Sequence, residues 1–261
     1  MPRYIPDLKI TREHAKHHAY MWGIRTAGLY DYQYLIPKEP FVLPNIKEDS
    51  TFLIFAGYTG EFYHKLNAKK FIFTDASNEV VKEAKRRSPP DFKEKTEFVF
   101  CDAYFLPFRD NCVDYTISFE PIPVLEIPYF LLEMVRCAKK GVILIFGPAF
   151  AVDGYYLSDI GRSYGIKVET KTMKLAEKRR VSVDIRVDLY KITEKVKRNI
   201  TIDLKVIQKA NELARKKGEL AKTDLEVIRN ELGISKTIFS ASLLRIRAMQ
   251  TIEAYTLKGD Y

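Results

Sequence analysis

The sequence predicts an α/β fold: a mostly parallel, seven-stranded sheet with an antiparallel hairpin at one edge, followed by a small helical unit. Three observations carry that expectation. From Thr51 onward, short β-rich runs alternate with helical ones: TFLIFAG, KKFIFTD, EFVFCD, VDYTISF and GVILIFG. Regular alternation of strand and helix builds parallel βαβ units. Two later runs, KVETKTMKL and VSVDIRVDLYKI, alternate with period 2 and are joined by AEKRR, which reads as an antiparallel edge hairpin. After Ile192 the strand character stops and helical periodicity takes over.

Taken in order, residues 1–50 form a covering segment: helical spacing from about Thr11 to Leu29, then the aromatic and proline-rich YDYQYLIPKEPFVLP. Residues 51–192 hold the sheet. Between its strands, apolar residues recur at helical spacing over Gly60–Leu66, Asn78–Arg87, Ile127–Ala138 and Tyr155–Tyr164. Right-handed crossovers place such helices on both faces of the sheet. Residues 200–261 form the second unit, with helices expected at Asp203–Lys217, Asp224–Leu232 and Lys236–Gln250. Gly218 and Gly233 stand where helices end. Gly233, Ile234 and Ser235 then supply stop, apolar turn residue and N-cap in succession, a helix-turn-helix signature.

Composition narrows the class of protein. With 261 residues and 46% hydrophobic content, the chain can pack one large domain and a satellite. The longest nearly unbroken apolar run, Val142–Val152, is far shorter than the roughly 20 residues that span a bilayer. MPRYIPDLKI lacks the apolar core of a secretory signal, so a cytoplasmic protein without membrane attachment is expected. Cys101, Cys112 and Cys137 are odd in number and lack CxxC spacing, which argues against a disulfide framework or a thiolate zinc site. The net charge of +9 favours an anionic partner, and residues 191–261 carry 15 Lys and Arg against 9 Asp and Glu. Nucleic acid is therefore expected at the C-terminal unit.

The residues that carry chemistry lie at strand ends. The first strand runs into Gly57, Tyr58, Thr59 and Gly60, where an open α/β sheet binds ligands and glycine lets backbone approach them closely. The second ends in Asp75, 18 residues after Gly57, near the spacing at which a carboxylate takes ribose hydroxyls. The third ends in Asp102, on the same rim, where a carboxylate accepts from an exocyclic amine such as that of adenine. Singly, these are a tight turn, a helix cap and a loop acid; together, on three successive strand ends, they fit an adenosine with a free ribose.

At this point the sequence resembles the class I S-adenosylmethionine-dependent methyltransferases, a Rossmann-like fold, and in particular those related to quinone-biosynthesis enzymes. The segment FVFCDAYFLPFRDNCVDYTISFEPIPVL, residues 98–125, is similar to the family's third strand, its GDAxxLPFxDxxFD loop and its fourth strand, and LLEMVRCAKKGVILIFGP continues the likeness. The resemblance implies S-adenosylmethionine as cofactor. It implies Gly57, Tyr58 and Gly60 around the methionine part, Asp75 with Ala76 at the ribose, Asp102 with Ala103 at the adenine, and Phe119 at the mouth. Glu120, ending the fourth strand, is the candidate to contact the acceptor, and no catalytic base is assigned. Departing from the family, FAGYTG is one residue shorter than the usual GxGxG motif and has Phe55 where an acid usually stands.

His14, His17 and His18 share one helix face, but no carboxylate or cysteine at ligand spacing completes a metal set, so packing or surface roles are expected and no metal. Tyr20, Trp22, Tyr30, Tyr32 and Tyr34 are expected to pack on the sheet edge. GxSxG, GxxxxGK and HExxH motifs are missing, which leaves hydrolase and NTPase readings without support, and the missing GxGxxG counts against a dinucleotide enzyme. LEVIRNELGISKTIFSASLLRIRAM resembles winged helix-turn-helix domains, with AYTLKGDY as a reduced wing. That likeness implies Lys236, Thr237, Ser240 and Ala241 facing outward, with Arg245, Arg247 and Lys258 reaching phosphates. Protein contact, including a homodimer, is the other role open to this unit. Two functions are expected: a methyltransferase of unknown acceptor, or a catalytically degenerate relative acting as a DNA-binding or protein-interaction module.

Overall fold

The computed structural model describes residues 43, 46–55, 60–103, 106–119, 127–146, 161–162, 164–175, 183–217 and 220–256. The helix expected at 11–29, the three neighbouring histidines, the N-terminal tyrosines and tryptophan, and most of the helix expected at 155–164 lie outside these residues.

Seven strands form one sheet: β1 (Thr51–Ile54), β2 (Lys70–Asp75), β3 (Thr96–Phe100), β4 (Val113–Phe119), β5 (Ala138–Phe146), β6 (Lys167–Leu175) and β7 (Val183–Lys191). Their order is β3-β2-β1-β4-β5-β7-β6. The first five are parallel, while β7 runs antiparallel to both β5 and β6. The expected edge hairpin is therefore present, from Lys167 paired with Lys191 to Leu175 paired with Val183. Buried Asp188 locks it, accepting from Thr170 Oγ1 at 2.7 Å and Arg186 Nε at 2.9 Å.

Helix α1 (Asn78–Arg87) matches its expected bounds because Ser77 caps it, the hydroxyl accepting the Val80 amide, while Val80, Val81 and Ala84 face the core. The segment expected to be helical over Gly60–Leu66 is a 3₁₀ helix, Glu61–Lys65. The chain must reach β2 at Lys70, which leaves space for little more than a tight turn. A short helix not anticipated, α2 (Pro90–Glu94), starts on a proline whose fixed φ suits a first helical turn. Helix α3 (Ile127–Cys137) connects β4 to β5.

Alternate side chains of the strands feed two cores. Phe52, Ile54, Phe71, Phe73, Ile117 and Ile143 pack with α1, α2 and Leu43 on one face. Leu53, Phe55, Val142 and Leu144 pack with Phe130–Val135 of α3 on the other. That second core continues into α4 (Glu194–Lys217), α5 (Lys222–Glu231) and α6 (Lys236–Thr256) through Val196, Ile200, Ile207, Ile228, Phe239 and Ile246. Helix α4 thus begins at Glu194, nine residues before the start expected at Asp203, because its first turns are buried against the sheet domain.

The turn between α5 and α6 follows the sequence reading. Gly233 adopts a left-handed φ of 63°, and the Ser235 hydroxyl accepts the Ile238 amide at 3.3 Å to start α6. The reduced wing does not: Ala254, Tyr255 and Thr256 continue α6. No helix among the described residues is long and apolar enough to cross a membrane.

Candidate cofactor-binding site

The sheet reverses its strand order between β1 and β4, and the turn after β1 opens at that switch point. Gly60 closes it with a left-handed φ of 82°, and a Cβ there would stand 3.2 Å from the Phe73 ring. The left-handed φ favours glycine, and a Cβ would also crowd the ring. Gly57, Tyr58 and Glu120 lie outside the described residues.

Buried hydroxyls lace the three strand ends beside this turn. Thr74 Oγ1 donates to the Ile54 carbonyl at 2.8 Å, Ser118 Oγ donates to the Phe55 carbonyl at 2.7 Å, and the Phe119 amide donates to the Tyr63 hydroxyl at 2.9 Å. In an apolar core such bonds fix the rim, since leaving any of these groups unmade costs about 1–3 kcal/mol. Their signal in the sequence is polar Thr74 and Ser118 inside otherwise apolar strands.

Asp75 ends β2 and is 7% exposed. Its Oδ1 accepts the Ser77 amide at 3.0 Å, which orients the carboxylate, while the capping of α1 falls to Ser77. The Cys101 amide donates to the Asp75 carbonyl at 3.1 Å, so Asp102 and Ala103 follow directly from a residue tied to Asp75. Cys101 reports on both acids: burial first, then the charges of Asp102 and Asp75, push its thiol up to about 12. It stays protonated, with both carboxylates within electrostatic reach of its sulfur. Those groups, with Ala76 and Ala103 beside them, suit the hydroxyls and amine of an adenosine. Phe119, expected at the mouth, ends β4 with its ring buried and stacked on Phe62 at 4.5 Å. Phe55, where the family usually has an acid, is fully buried against Phe130 at 5.3 Å.

Two residues not singled out from sequence govern the loop after Asp102. Glu133, nearly buried on α3, accepts the Leu106 amide on Oε2 at 3.0 Å. Arg136, one turn later, donates through Nη2 to the Leu106 carbonyl at 3.0 Å and through Nη1 to the Phe108 carbonyl at 2.7 Å. It also pairs with Glu133 at 2.7 Å and Asp110 at 3.0 Å. The loop is then met from the C-terminal helices, where Lys197 Nζ donates to Asn111 Oδ1 at 2.6 Å. The sequence signal was a Glu and an Arg three apart on an otherwise apolar helix.

In the C-terminal unit, Lys236, Thr237 and Ser240 are exposed at the start of α6, as expected. Arg245 is not available to a phosphate. Its Nε and Nη2 donate to the two oxygens of fully buried Asp203 at 2.8 and 2.6 Å, a bidentate pair joining α6 to α4. The side chain of Arg247 lies outside what is described. Leu244 and Ile238, on the same helix, are 66% and 43% exposed.

Comparison with known proteins bears on the sheet domain. Residues 56–146 match the methyltransferase domain family. Among solved structures, the chain is similar to one from the complex between the Haloferax volcanii Trm112 methyltransferase activator and a candidate methyltransferase, with 15% identity, a TM-score of 0.49, and coverage of 68% of this chain and 96% of that one. It is also similar to an S-adenosylmethionine-dependent methyltransferase of Aquifex aeolicus, at 18% identity and a TM-score of 0.47, covering 66% of this chain and 98% of that one. A third, from Methanosarcina mazei, has 16% identity, a TM-score of 0.43, and coverage of 57% and 97%. Among curated proteins, none matches. The family match falls on the segment that holds both rim carboxylates, and residues 56–146 are thus similar to a methyltransferase domain.

Proposed function

We propose that the chain transfers the methyl group of S-adenosylmethionine to an acceptor held over the rim of the sheet, and that α5 and α6 help to dock that acceptor. The observation that carries the reading is the pair of carboxylates, Asp75 and Asp102, on adjacent strand ends beside the switch point. When bound, the cofactor supplies an electrophilic methyl group, whose transfer needs proximity and alignment more than an acid–base pair. The chain's own part is to bind and orient: Asp75 takes the ribose hydroxyls, Asp102 the adenine amine, and Gly60 keeps the turn open to the methionine end.

For docking, the basic surplus of residues 191–261 and exposed Lys236, Thr237 and Ser240 at a helix start favour nucleic acid, in the manner of a helix-turn-helix. Exposed Leu244 and Ile238 favour a second reading, a protein surface or another copy of this chain. Incubation of the full chain with methyl-tritiated S-adenosylmethionine and a cell extract, followed by separation of nucleic acid, protein and small molecules, tests both parts. Label is expected in nucleic acid and is expected to vanish with Asp75→Ala. Label in protein or small molecules overturns the docking proposal alone; label in none, from a chain that binds cofactor, overturns transfer.

A further inference from the structure

The segment from Cys101 to Cys112 connects β3 to β4, its described residues lie outside helix and strand, and Asp102 and Ala103, assigned to the adenine, stand near its start. A loop has little to hold it by itself, because fixing each backbone residue costs about 1–2 kcal/mol of conformational entropy. Here the cost is met from α3. Leu106 is anchored in the core beneath α3, its amide is taken by Glu133, and its carbonyl by Arg136. The same guanidinium reaches the Phe108 carbonyl and the Asp110 carboxylate, so one side chain spans three positions of the loop. The Asn111 amide donates to the Arg136 carbonyl at 3.0 Å, which closes the far end. Such a planar, five-donor fork is something arginine alone provides; a lysine reaches one acceptor where Arg136 reaches several.

The two side chains also depend on one another. Glu133 is nearly buried, and without Arg136 it would be left as an uncompensated carboxylate; Arg136 is 15% exposed, and its charged form is favoured first by its bonds to Glu133. Their hydrogen bonds go mainly to the loop's backbone, at Leu106 and Phe108, with the Asp110 carboxylate and the buried Leu106 side chain adding to the hold.

We propose that Glu133 and Arg136 are positioning residues for cofactor recognition: by clamping Leu106–Asp110 to α3 they set where Asp102 and Ala103 stand, and with them the preference of the site for adenine. The proposal rests on the reading of the rim as an S-adenosylmethionine site. A clamp of this kind acts on one end of the ligand, so its loss is selective. A residue needed only for folding would lower every affinity alike.

The test is calorimetric titration of the full chain with S-adenosylhomocysteine and with S-inosylhomocysteine, in which hypoxanthine replaces adenine and the exocyclic amine is lost. The wild type is expected to prefer the adenine form. Arg136→Lys and Glu133→Gln, which keep the bulk of each side chain, are expected to lower affinity for S-adenosylhomocysteine about tenfold, the worth of one well-placed hydrogen bond. Affinity for the inosine analogue should move little, so the preference collapses. Preserved preference in both variants, with or without a uniform loss of affinity, overturns the proposal and leaves the clamp a stabilising contact. A wild type that binds both analogues alike overturns it at Asp102. A wild type that binds neither overturns the cofactor reading, and this proposal with it.

Discussion

Single residues of this chain separate by partner more than by type. Asp75 and Asp203 are both buried aspartates, yet one ends a strand and accepts a backbone amide at the rim, while the other lies on a helix and is sealed by Arg245. Arg245 was legible only as a basic residue in a basic unit. Its partner stands 42 positions earlier on another helix, and single-sequence periodicity does not carry such pairings. The ion pair makes a direct prediction. Arg245→Ala leaves Asp203 charged and fully buried, which should cost about 3–5 kcal/mol in denaturant-induced unfolding, whereas replacing both with leucine should cost much less. A loss below about 1 kcal/mol in the alanine variant would mean that α6 does not rest on α4 through this contact.

Elements were the most legible scale where local chemistry decides them. Helix α1 could be read to the residue, since Ser77 caps it and its apolar positions recur correctly. The turn at Gly233–Ser235 was equally clear. The 3₁₀ helix after Gly60 was not, because its shape comes from the short distance to β2. The clamp on the loop after β3 was hidden for another reason: Glu133 and Arg136 do pair with each other three positions apart, but their further partners, Leu106, Phe108 and Asp110, lie 26 to 30 residues earlier.

Helix α1 carries a pH signature. Hydrogen bonds from Arg86 and Arg87 hold the Glu83 carboxyl down at about 2, below its usual 4.5. A group depressed in the folded state contributes its stability fully above its unfolded value and loses it as pH falls through the folded one. Protection of α1 amides from hydrogen exchange should therefore weaken between pH 4.5 and about 2, and Glu83→Gln should remove that dependence. Strand β5 makes a steric prediction. A Cβ on Gly141 would lie 2.9 Å from the Tyr190 carbonyl oxygen and 3.1 Å from the Leu189 side chain. Gly141→Ala should lower stability by about 1–3 kcal/mol, with a shift in thermal midpoint as the readout.

For the whole molecule, the sheet order sets Asp75 and Asp102 on the rim proposed to take adenosine, and the C-terminal helices complete the core on one face. Most of the charge surplus, 15 Lys and Arg against 9 Asp and Glu, lies in residues 191–261, so the proposed docking surface and the proposed cofactor site are in different parts that share one core. Sequence gave the layout of both parts, since alternation and periodicity fix element order. It did not give their union, since the burial of Val196 and Ile200 against α3 depends on tertiary packing. The shortened turn, with Phe55 committed to packing on Phe130, makes cofactor affinity the quantity on which the account stands. The most direct measurement is calorimetric titration of the full chain with S-adenosylhomocysteine, with NAD as control. The account predicts one site of micromolar affinity, about −8 kcal/mol, and no response to NAD. Absence of binding at millimolar ligand, or equal binding of NAD, would contradict it.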